Sequence, residues 1–118
     1  MINGYLTDID DNCLFEQVSR TSRFLERLCG LLFSPRLKNN EALLIEPCSS
    51  IHTIGMRYAI DLVFIDKDWH VVKTTKSLKP WRMATSNKAY RVLELNSDCL
   101  EGITLPLGQQ LKWHSHVE

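Results

Sequence analysis

Ile60-Asp61-Leu62-Val63-Phe64-Ile65-Asp66 is followed, after four intervening residues, by Val71-Val72-Lys73-Thr74-Thr75. The first run is β-branched, aromatic and apolar at both parities, apart from Asp61. That is the pattern of a central strand covered on both faces. The short spacer predicts that the two runs form a hairpin. Working outward, residues 42–45 read as a short buried strand, residues 90–95 as another and residues 109–113 as the last. Residues 1–18 read as short β pieces with a turn at Asn3-Gly4 and a strand over 13–18.

Two segments read as helical. Over residues 21–32, Phe24, Leu25, Leu28, Leu31 and Leu32 fall on one stripe of a 3.6-residue period, with Arg20, Arg23, Glu26 and Arg27 opposite. Ser19, Thr21 or Ser22 supplies an N-cap, Gly30 a stop or a close contact, and Ser34-Pro35 blocks continuation. Residues 97–102 look like a helical turn capped by Asn96 or Ser97 and ended by Gly102. Strands outnumber helices and do not alternate with them. The expected fold is therefore α+β: a mainly antiparallel, curled or barrel-like sheet, one principal helix at about 21–32 and a short helical turn at about 97–102.

The chain of 118 residues fits a single domain spanning 1–118. Such a length buries about 65% of the unfolded surface, enough for one core without metal or disulfide support. Cys13, Cys29, Cys48 and Cys99 form no Cys-x-x-Cys pair, which gives no support to zinc-ribbon or thioredoxin-type chemistry. The first residues have neither a basic nor an apolar leader-like region, and apolar stretches such as residues 28–33 fall short of the ~20 residues of a membrane helix. The expected setting is a reducing cytoplasm, away from membranes. Net charge is zero, but from residue 69 to 93 there are Lys73, Lys76, Lys79, Arg82, Lys88 and Arg91 and no acid. A local basic surface follows despite the neutral total.

Residues 49–66, Ser-Ser-Ile-His-Thr-Ile-Gly-Met-Arg-Tyr-Ala-Ile-Asp-Leu-Val-Phe-Ile-Asp, resemble the signature of the bacterial and archaeal family called domain of unknown function 192. That pattern runs His-Thr-Phe-Gly-Met-Arg, a short gap, then Leu/Ile-Asp-x-x-Phe-x-Asp. Residues 23–32, Leu78-Lys79-Pro80-Trp81-Arg82 and Val92-Leu93-Glu94-Leu95 resemble further family segments in order, so the likeness covers about residues 20–111. It implies a compact, mainly β fold and no particular reaction. Two departures stand out. The family's glycine in the hairpin turn is absent from Asp66-Lys67-Asp68-Trp69-His70, where a positive φ costs another residue about 1–2 kcal/mol. The small glycine-containing segment after Val-Leu-Glu-Leu is replaced by Asn96-Ser97-Asp98, which removes any contact that needs close backbone approach there.

Asp61 is the most informative polar residue, because a carboxylate in a doubly covered strand requires a partner. Arg57 and Arg82 are the nearby arginines in sequence, and a structural ion pair or cap competes with a functional carboxylate. Cys48, His52 and Met56 are four apart, a spacing that suits a soft metal only on a helix, which Pro47 and Gly55 oppose. Cys48 with His52 lacks an evident orienting partner for thiol catalysis. His114 and His116 share one side of a strand, but a solvated terminus is the simpler reading. No metal site or cofactor is implied.

The leading expectation is an accessory binding module that presents a small polar or anionic molecule to His52, Arg57, Asp61 and Arg82. One alternative is an enzyme of small-metabolite or carbohydrate metabolism with Asp61 and His52 as acid and base. Another is weak nucleic-acid binding through residues 73–91, with Trp81 and Tyr90 interleaved among the bases. The neutral total charge and the split parity of Lys73 and Lys76 argue against nucleic acid as a partner.

Overall fold

The computed structural model describes residues 2–21 and 40–116. Nine strands lie among them: β1 (Ile2–Thr7), β2 (Cys13–Thr21), β3 (Glu41–Ile45), β4 (Ser50–His52), β5 (Ile60–Ile65), β6 (Val71–Leu78), β7 (Met83–Thr85), β8 (Arg91–Asn96) and β9 (Lys112–Ser115). Seven form one sheet in the order β6-β5-β8-β3-β2-β1-β9, and β4 pairs with β7 in a separate ribbon. All pairs are antiparallel except β2 with β3, where Thr21 lies opposite Ile45.

The hairpin β5–β6 forms as its sequence predicts, and every residue of β5 is buried. Alternation divides the strand between two apolar clusters. Val63 and Ile65 join Leu6, Val18, Leu44, Leu93 and Leu95 on one face. Ile60, Leu62 and Phe64 meet Val92 on the other, where Ile51 and Ala84 of the ribbon pack over them. Each such aliphatic or aromatic side chain contributes about 1.5–3 kcal/mol by leaving water. The ribbon is thereby fixed to the sheet by one face, with its other face outward.

The hairpin turn pays the cost that its missing glycine implies: Trp69 sits at φ 70. The Asp66 carboxylate accepts bonds from the Asp68 and His70 N–H groups, both at 2.9 Å, and closes the turn. At the other side of the sheet Gly4 admits Trp113, since a Cβ there would lie 2.5 Å from the Trp113 Cζ2 and would also collide with the His114 carbonyl oxygen.

Three expectations need correction. Among the described residues there is no helix, so the described fold is all-β and not α+β. The principal helix expected at about 21–32 lies outside the described residues from position 22 on, and Thr21 itself ends β2. Residues 97–102 are successive turns, with bonds from the N–H groups of Cys99, Glu101 and Ile103 to carbonyls three residues back. Asp98 at φ 73 is incompatible with a right-handed helix, although cap and stop signals suit both structures. Barrel closure is also not found. The edge strands β6 and β9 meet only through an isolated His70–Gln110 pairing and the backbone bonds around it, among the described residues. Pro106, which has no N–H, and Gly108 at φ 89 interrupt the approach to β9. The strand expected over 109–113 accordingly begins at Lys112.

Candidate functional site

The four residues singled out by the sequence divide into one buried group and three exposed ones. Asp61 is fully buried on β5. One carboxylate oxygen accepts the Ser77 N–H at 2.8 Å and the other the Leu100 N–H at 3.0 Å. Among the described residues no hydrogen bond or ion pair links it to His52, Arg57 or Arg82. Its partners are two main-chain donors. Ser77, at φ 51, is on the β6 side of an irregular register with β5, and Leu100 lies in the turns after β8. Asp61 therefore ties two irregular segments to the central strand.

His52, Arg57 and Arg82 are exposed, on the ribbon and its two loops. Thr53, fully buried, joins those loops. Its hydroxyl donates to the Lys79 carbonyl at 2.6 Å and accepts the Arg82 N–H at 2.9 Å. Its N–H donates to the Arg82 carbonyl at 2.8 Å, and its carbonyl accepts the N–H groups of Trp81 and Met56 at 3.0 and 3.1 Å. One threonine thus binds residues 79–82 to residues 53–56. Thr53→Val keeps the shape and strands the Arg82 N–H. It is expected to cost about 1–3 kcal/mol in urea denaturation, with amide shifts concentrated in these two loops.

Across the ribbon His52 lies opposite Met83, and Ile51 opposite Ala84. The second pair is buried, so the first faces outward. Ile54, Trp81 and Met83 are 57%, 64% and 68% exposed. Trp81 is held at φ 63, and its carbonyl accepts a bond from the Arg82 guanidinium at 3.2 Å.

The remaining expectations resolve simply. Cys48 is buried and its thiol donates to the Ser50 carbonyl at 3.3 Å, while His52 is exposed. Met56 packs against the core cluster that contains Cys48. Cys48 and Met56 are thus packing residues, whereas His52 faces outward. His114 and His116 do not form a frayed end: both rings lie against Tyr5, at centroid distances of 4.7 and 5.2 Å. Burial, then the charges of Asp61 and Asp98, push the Cys99 thiol up, which disfavours the thiolate. A cavity of about 640 Å³ is lined by Leu14, Glu16, Leu95, Asp98 and Cys99 and by none of the four expected residues. Its acidic side chains have the wrong sign for an anion.

A second polar cluster escaped the sequence reading. Glu46 binds the guanidinium groups of Arg20 and Arg91, the latter at 2.6 Å. Arg91 is buried and lies 3.8 Å over the Trp69 ring, and Arg20 lies 5.3 Å from the rings of both Trp69 and Trp113. Burial pushes the Glu46 carboxyl up, but the bonds from Arg91 and Arg20 outweigh it and hold the carboxyl below its ordinary value. Glu46 follows β3, whose neighbours are β2 and β8. Only that strand order brings Arg20 and Arg91 to it.

Open seven-stranded sheet, buried carboxylate hub and exposed ribbon together define a class of small β protein. The profile of the family domain of unknown function 192 (DUF192), described as "Uncharacterized ACR", matches residues 7–113, and the chain belongs to that family. UPF0127 protein PF1050 of Pyrococcus furiosus is 31% identical over 105 residues, which cover 86% of this chain and 90% of the relative. UPF0127 protein PH1112 of Pyrococcus horikoshii is 33% identical over 101 residues, covering 82% and 87%. The fold is similar to the crystal structure of a "putative transcription regulator" from Sinorhizobium meliloti 1021, with a TM-score of 0.75 at 16% identity over 95% of this chain and 92% of that one. It is also similar to a protein of unknown function from Novosphingobium aromaticivorans, with a TM-score of 0.72 at 16% identity over 94% and 84%. No helix among the described residues is long and apolar enough to cross a membrane.

Proposed function

We propose that the chain is a binding module that takes an anionic ligand on the outward face of the β4–β7 ribbon, with His52, Arg57 and Arg82 as its polar contacts. The observation that carries this reading is the Thr53 junction. It holds the loop bearing Arg82 against the start of the loop that leads to Arg57, immediately after His52. Residues 47–60 and 69–93 contain no acidic side chain, so the local field favours an anion. Arginine pairs with carboxylate or phosphate through two parallel bonds. Asp61 belongs to the scaffold in this reading, since both of its oxygens already accept main-chain N–H groups. That speaks against Asp61 as an acid or base, one of the two residues, with His52, on which the alternative of an enzyme rested.

The test is a titration with inorganic phosphate and with citrate at low ionic strength, followed by amide chemical shifts. Saturable shifts are expected at residues 52–57 and 79–83. Arg57→Ala combined with Arg82→Ala should weaken the response at least tenfold, and raising salt to 0.5 M should suppress it. A response centred elsewhere, or none, contradicts the reading.

A further inference from the structure

We infer that the occupant of this ribbon is an acidic, apolar-anchored segment of a protein partner; this rests on the anion-binding reading and specifies its ligand. Large exposed apolar side chains in contiguous groups mark interaction surfaces, whereas isolated ones do not. Among the described residues six large hydrophobic side chains are exposed, and three of them, Ile54, Trp81 and Met83, belong to the ribbon and its two joined loops. Tryptophan, methionine and arginine are the residue types enriched where proteins meet proteins.

Trp81 adds a conformational argument. A bulky residue at φ 63 is disfavoured, and this one is kept there by its N–H bond to the Thr53 carbonyl and by the bonds between Thr53 and Arg82. The strained backbone leaves the side chain 64% exposed. Core packing therefore does not explain the residue, and an external contact does.

The main chain points the same way. Thr53 and Ser86 donate to the carbonyls of Arg82 and Ser49, so the 53–82 and 49–86 positions are bonded across the ribbon. Antiparallel pairs alternate, which makes Ile51–Ala84 a bonded pair and directs the N–H and C=O groups of His52 and Met83 away from the ribbon. An extended segment finds main-chain partners at such an edge, as in strand addition. Its acidic side chains meet a surface made from two acid-free stretches that carry Arg57, Lys79 and Arg82. Single-stranded nucleic acid is the competing polyanion. It uses flat rings and cations, and leaves the aliphatic Ile54 and Met83 without a role.

Three probes of equal negative charge distinguish these occupants: a peptide alternating Glu or Asp with Leu and Phe, a peptide of acidic residues with serine in place of Leu and Phe, and an oligothymidine. Each is titrated into the full chain at low salt, with the Trp81 indole N–H and the Ile54 and Met83 amides as reporters. The amphipathic peptide is expected to bind at least tenfold tighter than the other two. Trp81→Gly, which keeps a residue tolerant of positive φ and so preserves the loop, should remove that advantage and leave the serine peptide unchanged. Ile54→Ser should reduce it independently. Equal affinity of the two peptides, or tighter binding of oligothymidine, overturns the protein-partner inference and leaves the anion-binding reading intact. No response to any probe overturns both.

Discussion

Asp61→Ala is expected to lower the unfolding free energy by about 3–5 kcal/mol, from two lost charge-assisted hydrogen bonds and two stranded N–H groups. Those donors belong to Ser77 and Leu100, in segments that the sheet ladder does not hold in regular register. For a chain of this size the melting temperature should fall by roughly 15 °C or more. Urea denaturation measures the loss directly, as a shifted midpoint at unchanged slope. Asp61→Asn retains one acceptor oxygen but turns an amide NH₂ toward the other N–H donor, so an intermediate cost is expected. If the fold survives in the asparagine variant, its phosphate response should remain that of the parent protein. A loss of the response without a loss of stability would return Asp61 to the ligand site. A stability change below about 0.5 kcal/mol, the size typical of surface substitutions, would contradict the scaffold role altogether.

Glu46→Ala carries the second large effect. Removing the carboxylate leaves Arg91 buried beside Arg20 with no shared counter-charge. Breaking such a group from one side costs about 3–5 kcal/mol, and the partial exposure of Arg20 places the expected loss near 3 kcal/mol. The pH dependence has a definite sign. Burial raises the Glu46 carboxyl, the arginine bonds lower it further than burial raises it, and the net value lies below the ordinary 4.5. The unfolded chain therefore binds more protons than the folded one as pH drops below about 4.5. The stabilisation from Glu46 is present above that value and is lost as pH falls through the lower folded value. Urea midpoints at pH 7 should differ strongly between the parent and Glu46→Ala, and the gap should narrow steadily as pH falls below about 4.5. A gap that persists undiminished at pH 3 would contradict the charge-based account and point to packing of the glutamate stem instead.

The hairpin at β5–β6 and the strand β8 were legible because each is a run of branched and apolar residues with local boundaries. The short strands β4 and β7 were not. Three residues of Ser50-Ile51-His52 carry too little pattern, and their pairing with residues 83–85 is set by contacts distant in sequence. The turns at 97–102 were misread as helical because capping residues signal the start of a turn as well as of a helix. The positive φ at Asp98, which decides between them, is marked only weakly, by an aspartate in a segment where the family carries glycine. For the site, the sequence correctly demanded a partner for Asp61 but suggested arginines. Main-chain N–H groups are present at every residue except proline, so a carboxylate that uses them leaves no trace in side-chain chemistry. The Glu46 cluster depends on β3 lying between β2 and β8, a property of topology alone. Exposure of Met83 is equally invisible, since an apolar side chain by itself suits a core, whereas Trp81 among basic residues already allowed a surface position.

If the ribbon binds as proposed, the junction at Thr53 has a further effect, on the entropy of binding. Ordering a flexible residue costs about 1–2 kcal/mol of backbone freedom, and a surface made of loose loops loses that freedom each time it is occupied. Here the ends of both loops are already tied by main-chain and hydroxyl bonds to one buried residue. Little ordering is left to occur there on contact. Under the proposed binding role, selectivity passes to the side chains carried by a prearranged frame, and exchanging those side chains should change the ligand without changing how firmly the frame is held.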